Sequence, residues 1–295
     1  MNVIWESEIV MKWIRILFEL TKFRISLFAT LSTSLGFILA RQGISKEIVL
    51  PIIGIFLLAC GSCALNQYQE RKNDQWMERT QGRPLPAKRI HPITALKISL
   101  LLLLGGASIL MAGTNWMALG LGAFAVFWYN GIYTPLKRKT AFAAIPGALV
   151  GTIPPVLGWV SGGGRLLHPQ ILAVAFFFFI WQVPHFWLLL LNFGKDYEKA
   201  GFPSLTRIFT TAQLRRITFT WVLATAVACL MIPLFGLVTF YAVQVSLLIA
   251  AIWLVWKAFT LLRNHQSEFS LRLTFNSINA YVLLVMFLLA MDHLL

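Results

Sequence analysis

Glu70, Asp74 and Glu78 are three of only 11 acidic residues in the chain, and all lie in one polar stretch, NQYQERKNDQWMERTQGRPLPAKR, at 66–89. Asn66, Glu70 and Asp74 stand four residues apart. On a helix such steps keep side chains on one face, here along about 12 Å. An amide and two carboxylates on one face offer hard oxygen ligands of the kind Mg²⁺ takes, usually completed by substrate phosphates. Arg79 and Arg83 follow closely enough to clamp those phosphates. Salt bridging along a solvated helix is the plainer reading of this spacing. A second acidic stretch, NFGKDYEKAGFPSL at 192–205, carries Asp196 and Glu198 and shifts the balance. Two acid-bearing loops, each rich in Lys or Arg, predict a bimetal diphosphate site if the fold brings them together.

The elements that must position these residues are hydrophobic. The 295 residues are 58% hydrophobic and 12% charged, with a mean hydropathy of +0.73. Soluble domains carry roughly 25% charged residues, so the composition predicts an all-α polytopic membrane protein. Nine segments are apolar enough to span, at about 25–41, 48–68, 94–112, 115–133, 141–161, 167–192, 213–234, 238–262 and 270–292. With the N-terminus inside, twenty of the 25 Lys and Arg residues fall in cytoplasmic segments. Outside loops hold only Arg41, Lys46 and Arg165, and Lys97 and Lys257 lie near inner span ends. That bias predicts a cytoplasmic N-terminal segment (1–24), one nine-helix domain (25–292) around a central cavity, and a C-terminus outside. The same count puts loops 69–93, 134–140 and 193–212 on one cytoplasmic face. The net charge of +14 therefore reads as topology rather than nucleic-acid binding, since no soluble basic module is present. Cys60 and Cys63 form a C-x-x-C inside a small-residue helix, where Cys packs as a small apolar group.

With these residues in view, the chain resembles the UbiA-type intramembrane prenyltransferase superfamily, whose signature is N-x-x-x-D-x-x-x-D after span two and an acidic second motif after span six. Asn66, Glu70 and Asp74 match the first, with Glu in place of the middle Asp. Within the superfamily the chain is similar to the haem O synthase (protohaem IX farnesyltransferase) branch. LTKFRIS at 20–26, MERTQGRPLP at 77–86, GTIPPVLGW at 151–159 and WQVPHFWLLLLNFGKDYEKAGFPSL at 181–205 carry that likeness. It departs at Phe23, where Pro is common, at the short Tyr133-to-Lys137 spacing, and at PSLT, which replaces P-x-L-P.

The resemblance implies Mg²⁺ held by Asn66, Glu70, Asp74 and Asp196, the catalytic set. It implies diphosphate binding by Arg79, Arg83, Tyr133, Lys137 and Arg138. The substrates implied are haem B and farnesyl diphosphate, the product is haem O, and the setting is a lipid bilayer, expected to be a bacterial inner membrane because no Arg- and Ser-rich transit segment precedes the first span. Association with haem A synthase or terminal-oxidase assembly is an expectation of the same kind. A sister enzyme acting on a quinone precursor is the alternative, but such enzymes commonly carry D-x-x-x-D in the second motif, and Asn192 and Ala200 flank Asp196 here. A non-catalytic transporter would explain the spans but not two acid clusters on one face. His185, an ionisable group inside span six, could ligate haem iron or donate to a propionate. Pro154 and Pro155, inside span five, free backbone carbonyls that must lie against protein or a polar cavity.

Overall fold

The computed structural model describes residues 2–263 and 268–295, and among these it is helical with no strand. Among the described residues eight helices are long and apolar enough to cross a membrane, one fewer than the nine expected. The long helices are α1 (Asn2–Leu20), α2 (Phe23–Arg41), α3 (Val49–Asp74) and α4 (Pro92–Gly113). They are followed by α5 (Trp116–Val126), two short turns α6 (Thr134–Leu136) and α7 (Ala144–Gly147), and α8 (Leu149–Ser161). The last four are α9 (Pro169–Lys199), α10 (Thr211–Met231), α11 (Tyr241–Ala258) and α12 (Glu268–Leu294).

The predicted span at 115–133 differs from the other eight. Asn115 caps its start by accepting from the Ala118 N–H, but α-helix persists only to Val126. Residues Phe127–Tyr133 wind as a π-helix. A π-turn offsets the helical register and is frequent at functional sites. Here Asn130, within the turn, accepts from the Ser62 hydroxyl and donates to Ser62 O (3.0 Å) and Gln69 Oε1 (3.2 Å). The amide thus ties the altered turn to α3 and sets Tyr129 and Tyr133 beside the acidic face. The segment expected as a simple N-terminal extension is also structured, as α1. Gln67 of α3 donates to Glu19 O (2.6 Å) and Leu20 O (3.0 Å), which pins the end of α1 to the start of the polar stretch.

The bundle closes through glycine contacts between α2 and α8. A Cβ on Gly158 would stand 1.9 Å from Thr33 O, and one on Gly36 would stand 1.8 Å from Pro155 O. Small residues at a crossing let two membrane helices approach this closely. Pro154 and Pro155 are buried within α8. The largest core cluster draws on α2, α3, α4, α5, α8, α9, α10, α11 and α12 and includes Phe177, Phe178, Trp181 and Tyr281.

Candidate active site

α3 runs past the apolar section without a break to Asp74, so Asn66, Glu70 and Asp74 rise on one face as the four-residue spacing predicts. All three are withdrawn from water: their exposures are 0%, 4% and 0%. Carboxylates are seldom fully buried unless paired. Lys137 Nζ forms an ion pair with Glu70 Oε1, and Arg83 NH1 donates to Asp74 Oδ2 at 2.8 Å. Lys22 Nζ donates to Asn66 Oδ1 at 2.7 Å, while Asn66 Nδ2 donates to Thr134 Oγ1 at 3.0 Å. Each member of the acidic face therefore holds one cation, delivered by the turn before α2, the loop after α3 and the loop after α6.

Electrostatics follow from this enclosure. Burial pushes the Lys137 pKa down, but the Glu70 charge pushes it up, and the net result lies above the ordinary lysine range. Burial, then the Arg83 charge, pulls Lys22 down to about 8. Lys22 also sits in left-handed backbone (φ 48°, ψ 52°), a conformation uncommon for a residue with a Cβ. That strain aims its ammonium inward. Asp74 Oδ1 is buried without a hydrogen-bond partner.

The second acidic stretch reaches the same place through a bend. Phe193 leaves helical geometry within α9 (φ −126°, ψ 17°), and Gly194 packs against Thr206, re-aiming the last turn. Asp196 Oδ2 accepts from the Arg79 N–H at 3.4 Å, and the Arg79 guanidinium donates to Tyr197 OH at 3.4 Å. Lys199 pairs with Glu78 at 2.7 Å, and Asn73 Nδ2 donates to Ala200 O at 3.0 Å. The loop after α3 and the end of α9 are therefore stitched together. Asp196 remains half-buried, and no group of three His, Cys, Asp or Glu side chains among the described residues is already poised around a metal.

The other expected residues divide. Tyr133 stacks on Tyr129 (5.8 Å) and on Phe186 (5.9 Å), with Lys137 Nζ 5.1 Å from its ring centre. Arg138 turns away: its guanidinium donates to Gln69 O at 2.7 Å on an exposed side. His185 lies deeper along α9, with ring-centre separations of 5.2 Å to Trp181, 5.0 Å to Phe275 and 5.8 Å to Phe186. Sequence reasoning placed Lys22 only among the inside-facing charges and did not single out Thr134, Asn130 or Tyr197. Neither left-handed backbone at Lys22 nor a π-turn has a legible signal in residue types.

Fold and site together define an integral membrane protein with a buried acid-and-cation pocket at one end of its helices. The chain belongs to the UbiA prenyltransferase family, which residues 29–279 match, and it is a prenyltransferase. It is 32% identical over 276 residues to a protoheme IX farnesyltransferase of Oleidesulfovibrio alaskensis, covering 94% of this chain and 95% of that protein. Identity to the protoheme IX farnesyltransferase of Geobacter sulfurreducens is 38% over 218 residues, 72% of this chain and 79% of that one. Among solved structures, a digeranylgeranylglyceryl phosphate synthase superposes with a TM-score of 0.76 at 13% identity, covering 95% of this chain and 98% of that chain. A UbiA homologue from Archaeoglobus fulgidus bound to GPP and Mg²⁺ gives 0.67 at 13% identity, covering 93% and 99%. At such identity these structures establish the shared fold.

Proposed function

We propose that this chain transfers the farnesyl group of farnesyl diphosphate to a vinyl group of protohaem IX, making haem O. The single observation that carries the reaction class is the buried row Asn66, Glu70 and Asp74, each already matched to a cation. The likeness to protoheme IX farnesyltransferases along most of the chain supports haem as acceptor.

The residues fit Mg²⁺. They are hard oxygen donors, and a buried carboxylate oxygen at Asp74 has no partner. Asn66, Glu70, Asp74 and Asp196 would hold the metal, which when bound neutralises charge on the departing diphosphate. Lys22, Arg83 and Lys137 then have a second acceptor in the diphosphate oxygens, with Arg79 at the rim. Their charges are set in place before reaction, which is what electrostatic stabilisation of a leaving group requires. As the C1–O bond of the allylic diphosphate breaks, the vinyl carbon of the porphyrin bonds to C1 and positive charge passes to the adjacent carbon. Water adds there and a proton leaves, giving the hydroxyethylfarnesyl group. Tyr129, Tyr133 and Phe186 present aromatic faces beside the pocket, suited to an allylic cation and to excluding water.

The basic loops support a cytoplasmic pocket, an N-terminus inside and a C-terminus outside, in a bacterial inner membrane. Docking to haem A synthase or to terminal-oxidase assembly rests on the family resemblance. The test is direct. Purified protein is mixed with haem B, farnesyl diphosphate and Mg²⁺, and the extracted haem is weighed by mass spectrometry. A haem heavier by farnesyl plus water supports the reading. Unchanged haem with prenylation of an added quinone precursor overturns the acceptor assignment.

A further inference from the structure

We propose that Asn279 is a positioning residue for the acceptor: it fixes His185 in the tautomer whose Nε2 carries a lone pair, so that His185 binds haem iron rather than a propionate. This rests on the haem reading above. Asn279 Nδ2 donates to Phe275 O at 2.8 Å within α12. That bond settles which way the amide lies and leaves Oδ1 as the atom facing His185 Nδ1, 2.8 Å away. An amide oxygen only accepts, so His185 Nδ1 must be the protonated nitrogen. A neutral imidazole with its proton on Nδ1 has no donor left at Nε2. It cannot donate to a propionate, but it is the form that ligates a transition metal, with its other nitrogen hydrogen-bonded to a neighbouring group.

The surroundings suit that role. Nε2 has no hydrogen-bond partner among the described residues. Trp181, Phe186 and Phe275 surround the ring, offering flat apolar faces to a flat apolar ligand. Phe186 also contacts Tyr133, which carries Lys137 over its ring, so a single chain of contacts joins His185 to the diphosphate pocket. His185 and Asp196 are eleven residues apart on α9, on either side of the bend at Phe193. His185 in the middle of the helix and Asp196 in its last turn thus serve the two substrates, and Asn279 reaches across from α12 to orient one of them.

The experiment uses the full chain in detergent, titrated with ferric haem B without farnesyl diphosphate and followed by absorption spectroscopy. The wild type is expected to show a nitrogen-ligated Soret band that His185→Ala loses. Asn279→Leu should lose it as well, and Asn279→Asp, which still accepts from Nδ1, should keep it. Outer-shell changes of this sort cost about 10- to 100-fold in metal affinity. The KM for haem should therefore rise by about that factor in Asn279→Leu, with the KM for farnesyl diphosphate unchanged. Iron-free protoporphyrin should bind wild type and Asn279→Leu alike. Should Asn279→Leu fail to fold, Asn279→Ala serves with the same expectations, and His185→Gly with added imidazole should regain the band. A wild type that makes haem O with spectra matching His185→Ala and Asn279→Leu overturns the positioning role alone. Failure to convert haem B, with prenylation of a phenolic acceptor instead, overturns the haem reading.

Discussion

Replacing Asp74 with Asn separates the chemical role of the acidic face from its structural one. The carboxylate is 1% exposed and accepts from Arg83 at 2.8 Å. Asn keeps the size and one acceptor oxygen but removes the charge. A hydrogen bond to a charged group contributes about 1.5–3 kcal/mol and a neutral one about 0.5–1.5, so the pair weakens by roughly 1 kcal/mol. Arg83, whose side chain is 21% exposed, can recover part of this by turning toward water. The Thr80 hydroxyl bonds the Asp74 backbone oxygen, so the turn after α3 is untouched. Stability should therefore fall by no more than about 1 kcal/mol. Catalysis should fall much further. Losing one preorganised electrostatic element typically costs about 100- to 1,000-fold in kcat, or about 2.7–4 kcal/mol. Haem O formation would be followed by mass spectrometry beside thermal unfolding of the same detergent sample. Asp74→Asn turning over within threefold of wild type would refute the assignment, and an Asp74→Asn that unfolds in parallel would make the pair structural.

Other perturbations probe other levels. EDTA should abolish turnover and added Mg²⁺ restore it, with intrinsic Trp fluorescence unchanged; activity persisting in EDTA would remove the metal from the reaction. Gly158→Ala places a methyl 1.9 Å from a backbone oxygen that only helix separation can relieve. Overpacking of this kind costs about 1–3 kcal/mol, and a thermal midpoint equal to wild type would show that α2 and α8 do not meet there. Lys137→Met leaves Glu70 buried without its cation, and removing one partner of a buried pair costs about 3–5 kcal/mol. The double change Lys137→Met with Glu70→Leu should recover most of that stability and none of the activity. Hydrogen bonding to Arg89 holds the Glu19 carboxyl below its ordinary 4.5, so its contribution is present above pH 4.5 and fades as pH falls through the lowered value. Protection of the amides at the end of α1, corrected for the intrinsic pH dependence of exchange, should fall on acidification, and Glu19→Gln should remove that fall.

Hydrophobic length acts locally, and it made most of the helices of this protein legible from residue types. Apolar runs of about 20 residues must satisfy their backbone within the segment, so they become helices. The four-residue spacing of Asn66, Glu70 and Asp74 has one outcome once α3 is a helix, and the resemblance of the 181–205 stretch pointed to the reaction. Pairing is different, because it depends on what approaches from elsewhere in the chain. Lys22 reaches Asn66 across 44 residues, through left-handed backbone. Arg138 turned to Gln69 instead of the pocket, and the span at 115–133 gave way to a π-turn tied down by Asn130. His185 was visible as an ionisable group in a membrane helix, but its tautomer is set by Asn279, 94 residues away. Periodicity along one helix is encoded within that helix, whereas the partner of a buried polar atom is whichever distant group the packed bundle brings within about 3 Å.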